Sequence, residues 1–229
     1  MVAKGQGSDQ HYTMNRTKTP LNACARASLL AATLLLGLSA SAQLLNTLAE
    51  GDLLFVAPSR PNAITEVTHG IDRQPVDHVG IVHRIGGDQG PLFVIEAIPG
   101  AGVVLTPIDS LQQRECGARL LVGRVRNMDV HRSVRCALHY VGRPYDDVYH
   151  ADDKAIYCSE LVQLACVGTD GQAVFECVPM SFSDASGHIT DHWVSFYAAR
   201  GLPVPEGQPG TNPGQLSRHP RVTIIAPLK

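Results

Sequence analysis

Short apolar runs, separated by polar turn residues, fill the chain between residues 53 and 125. Runs of this length, rich in Val, Ile, Leu and Phe, are typical of β-strands. They predict strands at residues 53–56, 78–83, 92–97, 103–105 and 119–125. The glycines between Gly86 and Gly90 give a strong turn signal, so residues 78–83 and 92–97 should form a β-hairpin.

Apolar residues at helical spacing follow this strand-rich part. Helices are predicted at residues 106–113, 129–141, 157–167 and 193–200. Thr106 followed by Pro107 fits an N-cap with proline at the first helical position, and Gly142 fits a helix end. Residues 58–75 predict a short helix and loop, and the Pro- and Gly-rich stretch 202–214 predicts an ordered strap. Strands with interspersed helices indicate an α+β domain.

The first 42 residues have the pattern of a targeting segment. Basic residues at Arg16, Lys18 and Arg26 precede the uncharged apolar run 27–38, and the small-residue motif Ala40-Ser41-Ala42 follows it. This pattern predicts a signal peptide cleaved before Gln43, with an uncleaved anchor or a hydrophobic first helix as alternatives, and Met14 as a possible start. We therefore expect an exported protein, periplasmic or extracellular, with one domain over residues 43–229 and no stable membrane insertion after cleavage.

Charge and cysteine spacing exclude several classes of partner. The formal net charge is -2, and no cluster of Lys and Arg follows the targeting segment. Nucleic acid and anionic membrane surfaces are therefore not expected partners, and the oligomeric state is left open. Because no C-x-x-C pair is present, we predict no zinc site and no other metal or cofactor.

Five of the six cysteines lie after the targeting segment. In an exported protein some of them should form disulfides, and the pairs Cys166–Cys177 and Cys116–Cys136 are the first choices, although the sequence leaves the pairing open. Because five is an odd number, at least one thiol remains free unless a bridge forms between chains.

Cys158 is placed at the first turn of the predicted helix 157–167. Backbone N–H groups and the positive end of the helix dipole favour a thiolate there, and the same N–H groups can stabilise an oxyanion. The alternative is a buried structural cysteine.

A thiol nucleophile needs a base, and the base needs a group that orients it. His78 begins one arm of the predicted hairpin and Glu96 ends the other, and their midpoint, residue 87, falls within the glycine turn. A symmetric register would place them directly opposite each other on one face, with Cβ atoms about 5 Å apart. The pair is thus predicted to serve as base and orienting carboxylate.

Two tyrosines near Cys158 are further candidates for the site. Tyr157 and Tyr145 could line a cleft or help to bind an oxyanion, and they could equally be core aromatics with a tethered hydroxyl.

Six segments resemble the YiiX/YaeF-like family of permuted papain-like amidases, which are relatives of the NlpC-type cell-wall hydrolases. The segments are Gly-Asp-Leu-Leu-Phe (51–55), Asp-His-Val-Gly-Ile-Val (77–82), Val-Ile-Glu-Ala (94–97), Gly-Arg-Pro-Tyr-Asp (142–146), Tyr-Cys-Ser-Glu-Leu-Val (157–162) and the C-terminal strap 207–218. Asp77 stands where many members have a serine.

The resemblance implies a circularly permuted papain-like fold, in which an antiparallel, barrel-like sheet packs on the nucleophile helix. It also implies a Cys-His-Glu site, formed by Cys158, His78 and Glu96, that cleaves an amide in cell-wall or other lysine-bearing peptides or in a small amide. Two alternatives remain: an acyltransferase or thioesterase acting on lipid esters, and a non-catalytic binding module. An apolar cleft would favour lipid esters, whereas a polar cleft with an acidic pocket would favour a basic peptide.

Overall fold

A six-stranded antiparallel sheet forms the centre of the domain. The structure, a computed structural model, describes residues 45, 47–87, 89–150 and 154–228, without the side chains of 226–228. The predicted signal peptide at 1–42 lies outside these residues. No helix within the described residues is both long enough and apolar enough to cross a bilayer.

Three of the five neighbouring strand pairs in this sheet join strands that are consecutive in the chain, and the other two join strands that are not. The strand order is β4-β3-β2-β1-β5-β8, with β4 and β8 at the two edges. The strands are β1 (Leu53–Ala57), β2 (His78–Arg84), β3 (Leu92–Ile98), β4 (Gly102–Pro107), β5 (Arg119–Val125) and β8 (Val222–Leu228), and a small second sheet pairs β6 (Val178–Pro179) with β7 (Pro209–Gly210).

The described residues also form six α-helices. They are α1 (Ala63–Val67), α2 (Ile108–Arg114), α3 (Val130–His139), α4 (Cys158–Ala165), α5 (Asp191–Ala198) and α6 (Pro213–Ser217). Asp129 caps α3 by accepting a hydrogen bond from the Arg132 N–H at 3.0 Å, which satisfies one of the free donors at the helix start.

The two faces of the sheet carry separate cores. On one face, alternate residues of the strands, such as Phe55 and Ile81, pack against α3 and α4. On the other face, Val82 and Val94 pack against α2. This arrangement follows from the period-2 alternation of side chains in strands. A third cluster, separate from both, contains Met180, Phe182, Trp193 and Tyr197 and packs against α1.

The sequence correctly predicted the five strands of residues 53–125 and the three longer helices. The predicted helix start at Thr106 was wrong, because Thr106 and Pro107 complete β4 and α2 begins at Ile108. The strand β8 and the short sheet were not predicted.

The predicted cysteine pairs do not form. All five described cysteines are free; Cys166 is buried at the end of α4, whereas Cys177 is exposed, so the two sulfurs lie in different environments.

Candidate active site

Cys158 is the first residue of α4, and 5% of its surface is exposed. The preceding residue, Tyr157, has an extended backbone (φ -96°, ψ 169°), and its N–H donates to the Glu160 carboxylate at 3.4 Å. The thiol therefore lies where the first N–H groups of a helix have no partner within the helix. The helical pattern of the sequence predicted this placement.

His78, at the start of β2, connects Cys158 to Glu96. Its Nε2 lies 2.6 Å from Glu96 Oε2, and a second hydrogen bond joins the imidazole to Cys158. Because Nε2 is used by Glu96, Nδ1 is the ring nitrogen left for the thiol. Burial alone would lower the pKa of His78, but the hydrogen bonds to Cys158 and Glu96 outweigh it and raise this pKa to about 10. At neutral pH the imidazole is therefore protonated on both ring nitrogens and carries a positive charge.

Glu96 is fully buried on the face of the sheet that α2 covers. Arg114, the last residue of α2, donates from Nη1 to Oε1 at 2.9 Å and from Nη2 to Oε2 at 2.7 Å. Burial opposes ionisation of Glu96, but hydrogen bonds from His78, Arg114 and Thr106 lower its pKa to about 2. The carboxylate is thus ionised and fixed on two sides, as a group that orients an imidazole must be.

The hairpin register is shifted by two residues from the prediction. Ile81 pairs with Ile95 and Val82 with Val94, so the hairpin is centred on residue 88 and His78 is diagonal to Glu96 rather than opposite it. The predicted shared face is correct, because this shift keeps the parity of the strand. Gly80 lies beside Glu96, where an added Cβ would be 3.1 Å from Glu96 Cβ and 2.4 Å from Val94 Cγ1.

Both predicted tyrosines line the cleft that contains Cys158. Tyr157 is buried, and its hydroxyl accepts a hydrogen bond from the Thr211 N–H at 3.0 Å. Tyr145 hydrogen-bonds to Tyr149, and burial together with the nearby Cys158 raises the pKa of both hydroxyls, so both remain neutral.

The C-terminal strap 207–218 closes one side of this cleft. Thr211, Asn212 and Pro213 line it. Gly210 permits the close approach, because a Cβ there would lie 2.4 Å from Met180 Sδ and 3.0 Å from the Tyr157 hydroxyl. The hydrogen bond from Thr211 to Tyr157 then ties the strap to the residue that precedes the candidate nucleophile.

Arg114 and Tyr149 were not among the predicted site residues. The predicted helix ended at Gln113, one residue before Arg114, and nothing in the local pattern showed that this helix lies against Glu96. Tyr149 has a positive φ of 54°, which is unusual for an aromatic residue, and its ring packs edge-on against Tyr157 with centroids 5.1 Å apart. A backbone angle of this kind leaves no signal in a single sequence.

His83 takes no part in the candidate site. Its Nδ1 lies 2.7 Å from Glu50 Oε1, away from Cys158. Within the described residues, no three His, Cys, Asp or Glu side chains converge as ligands of a metal ion would.

The chain is similar to known proteins in family and in fold. A model of the permuted papain-like amidase enzymes, YaeF/YiiX, C92 family, matches residues 47–226. The fold is similar to the crystal structure of the metalloprotein yiiX from Escherichia coli O157:H7, with a TM-score of 0.60 and 23% identity over 77% of this chain and 96% of that chain. Among curated proteins there is no significant match. The predicted α+β, permuted papain-like fold is confirmed.

Proposed function

The chain belongs to the family of permuted papain-like amidases of the YaeF/YiiX type, and from this premise we propose that it cleaves an amide bond through an acyl-enzyme on Cys158. Membership supports a cysteine hydrolase. The observation that carries the finer proposal is the continuous chain of hydrogen bonds from Cys158 through His78 to Glu96 and Arg114.

In the proposed reaction His78 Nδ1 holds the proton of the Cys158 thiol. The thiolate adds to the carbonyl carbon, and N–H groups at the start of α4 stabilise the oxyanion. The C–N bond then breaks, the amine leaves with the proton from His78, and a thioester remains on Cys158. Water attacks the thioester, the acid leaves, and the proton returns to the thiol. Glu96 fixes the tautomer and orientation of the imidazole throughout.

The second candidate function is acyl transfer or thioester hydrolysis on lipid esters. The observation in its favour is the apolar lining of the cleft, which includes Phe182 and Trp193. Both functions use the same acyl-enzyme and differ in the bond cleaved and in the acceptor. A screen of simple amides, cell-wall peptides and lipid esters separates them, because an amidase releases amine whereas an acyltransferase forms a new ester.

We also propose that the enzyme is exported to the periplasm or the extracellular space. The support is the charged, apolar and small-residue order of residues 16–42. N-terminal sequencing of the exported protein from a bacterial host should begin at Gln43. A protein that keeps residues 27–38 contradicts cleavage.

The catalytic role of Cys158 is tested by limited alkylation. The protein is treated with limiting iodoacetamide near neutral pH, and the modified thiols are mapped in the wild type and in His78→Ala. We expect Cys158 to react faster than the exposed Cys116 and to lose this advantage in the variant. Equal reactivity of the two thiols, or no effect of the His78 change, would support a non-catalytic binding module instead.

A further inference from the structure

The cleft next to Cys158 has an apolar wall built from two parts of the chain. Ile64 and Val67 of α1 form one part, and Met180, Phe182 and Trp193 of the third cluster form the other. The aromatic rings of Phe182 and Trp193 pack edge-on with centroids 5.1 Å apart, so this wall is fixed by its own packing.

The cleft offers almost nothing to a charged group. Of the described residues that line it, Asp77 is the single one with an acidic or basic side chain. Its carboxylate accepts a hydrogen bond from the Asn62 amide, and burial raises its pKa. An ammonium group placed against the aromatic wall would lose its water, and the one carboxylate of the described lining already accepts the hydrogen bond from Asn62, so its entry is unfavourable.

The position of His78 decides which half of a substrate enters the cleft. His78 delivers a proton to the leaving amine, so the amine must depart on the His78 side of the thiol. The described lining contains Cys158 and Ser159 at the start of α4 but not His78. The acyl half therefore points into the cleft, and the amine half points away from it.

The size of the cleft limits this acyl half. Its cavity volume is about 50 Å³. One water needs roughly 10–15 Å³ measured in this way, so the cleft has room for about three to five waters. A methylene group is about as large as a water molecule, so about four aliphatic heavy atoms fit beyond the carbonyl.

We propose that the cleft is an acyl-specificity pocket that accepts a compact, uncharged aliphatic group of about four heavy atoms and rejects a cationic one. This inference rests on the proposed function, because it assigns the acyl half of the substrate that Cys158 attacks. A lysine-bearing group, where a substrate has one, belongs to the leaving-amine half. The pocket chemistry is shared by a short acyl chain and by an aliphatic residue of a peptide.

Chloromethyl ketones test the pocket directly, because they alkylate the thiol and carry the acyl half alone. The reagents are chloroacetone, 1-chloroheptan-2-one, and the chloromethyl ketones of Nα-acetylnorleucine and Nα-acetyllysine, in which the acetyl group removes the α-amino charge. The last two have the same carbon chain and differ by the terminal ammonium. The rate of alkylation of Cys158 is measured for each reagent by peptide mapping.

A pocket for about four heavy atoms buries three more methylenes of 1-chloroheptan-2-one than of chloroacetone. At about fourfold for each methylene buried, we expect a gain of roughly 60-fold. The lysine reagent should react at least ~10-fold more slowly than the norleucine reagent. Faster reaction of the norleucine reagent than of 1-chloroheptan-2-one indicates a peptide residue as the source of the acyl group. Equal or slower reaction indicates a simple acyl chain, and both results support the pocket.

A matched pair of variants tests whether the preference for an uncharged acyl group arises in the cleft. Val67→Glu places a carboxylate in the cleft wall at a half-buried position, whereas Val194→Glu makes the same change on α5 at a side chain that is 48% exposed and outside the cleft. Val67→Glu should slow the norleucine reagent and accelerate the lysine reagent. Val194→Glu should change neither rate. Circular dichroism checks that both variants fold.

The two possible failures are distinguishable. If chloroacetone alkylates Cys158 no faster than Cys116, the proposed function fails and the pocket assignment fails with it. If Cys158 reacts rapidly with chloroacetone but equally with the norleucine and lysine reagents, the proposed function stands and the pocket assignment is overturned. The pocket assignment is also overturned if Val67→Glu and Val194→Glu behave alike.

Discussion

Replacing Arg114 with methionine tests how Glu96 is held. Arg114→Met keeps an unbranched side chain at the end of α2 but removes both donors to the fully buried Glu96 carboxylate, at 2.9 and 2.7 Å. The carboxylate then depends on His78 and Thr106. Glu115→Gln is the matched control, because it changes the other partner of Arg114, at 2.8 Å from Nε, and leaves Glu96 untouched.

The expected loss of stability depends on how deeply each partner of the Arg114–Glu96 ion pair is buried. Removing one partner of a fully buried ion pair costs about 3–5 kcal/mol. About a third of the Arg114 side chain (34%) is exposed, so part of its interaction is already screened by water. We therefore expect Arg114→Met to lower the free energy of unfolding by about 2 kcal/mol at pH 7. Glu115→Gln should lower it by less than about 1 kcal/mol.

The sign of the pH dependence follows from the pKa of Glu96. This pKa is lowered from 4.5 to about 2, so the stabilisation is complete above pH 4.5 and is lost as the pH falls towards 2. In Arg114→Met the pKa of Glu96 should rise, and the difference from the wild type should narrow below pH 4.5.

Urea denaturation at pH 7 and at lower pH, with a reductant present, measures the loss of stability and its pH dependence. Both are read from the shift of the urea midpoint, provided that the slope m is unchanged. Alkylation of Cys158 in the same samples tests whether Arg114 positions the Glu96–His78 pair, and we expect it to slow in Arg114→Met with a shifted pH profile. A loss at pH 7 no larger than that of Glu115→Gln, or a difference that stays constant at low pH, would refute this account.

Three further predictions concern the same region. Gly80→Ala puts a methyl group 2.4 Å from Val94 Cγ1, so urea midpoints should show a loss of about 1–3 kcal/mol; an unchanged midpoint contradicts this. Protonated His78 should stabilise the fold fully below pH 6.5, and this stabilisation should be lost as the pH rises through about 10. The difference in the free energy of unfolding between the wild type and His78→Gln should therefore decrease over the same pH range. Tyr157→Phe removes the acceptor of the Thr211 N–H, so hydrogen exchange of that amide should accelerate, and unchanged exchange contradicts the tie.

The local pattern of the sequence was sufficient for most elements of the site. Helix periodicity placed Cys158 at the start of α4, and the hairpin signal placed His78 and Glu96 on one face. The residue directly opposite Glu96 could not be predicted from the midpoint between His78 and Glu96. The connection between Arg84 and Leu92 has seven residues, so the hairpin is centred on residue 88 instead of 87. Diagonal neighbours on a strand pair are still within reach of long side chains, which is why the contact forms.

Long-range packing explains what the sequence did not reveal. Arg114 reaches Glu96 because α2 folds back over β3, and Trp193 enters the cleft wall because residues between Met180 and Val204 pack on α1. Neither contact has a local signature, since each depends on elements brought together by the fold. The apolar character of the cleft therefore became visible in the structure alone.

Direct capture of an acyl-enzyme tests the central claim that Cys158 is the nucleophile. The protein is mixed with p-nitrophenyl hexanoate, quenched in acid after a single turnover, and mapped by mass spectrometry. We predict a hexanoyl thioester on Cys158, formed with a burst of p-nitrophenol, much reduced in His78→Ala and absent in Cys158→Ala. A burst that persists in Cys158→Ala, or a hexanoyl group found on another residue, would contradict the claim.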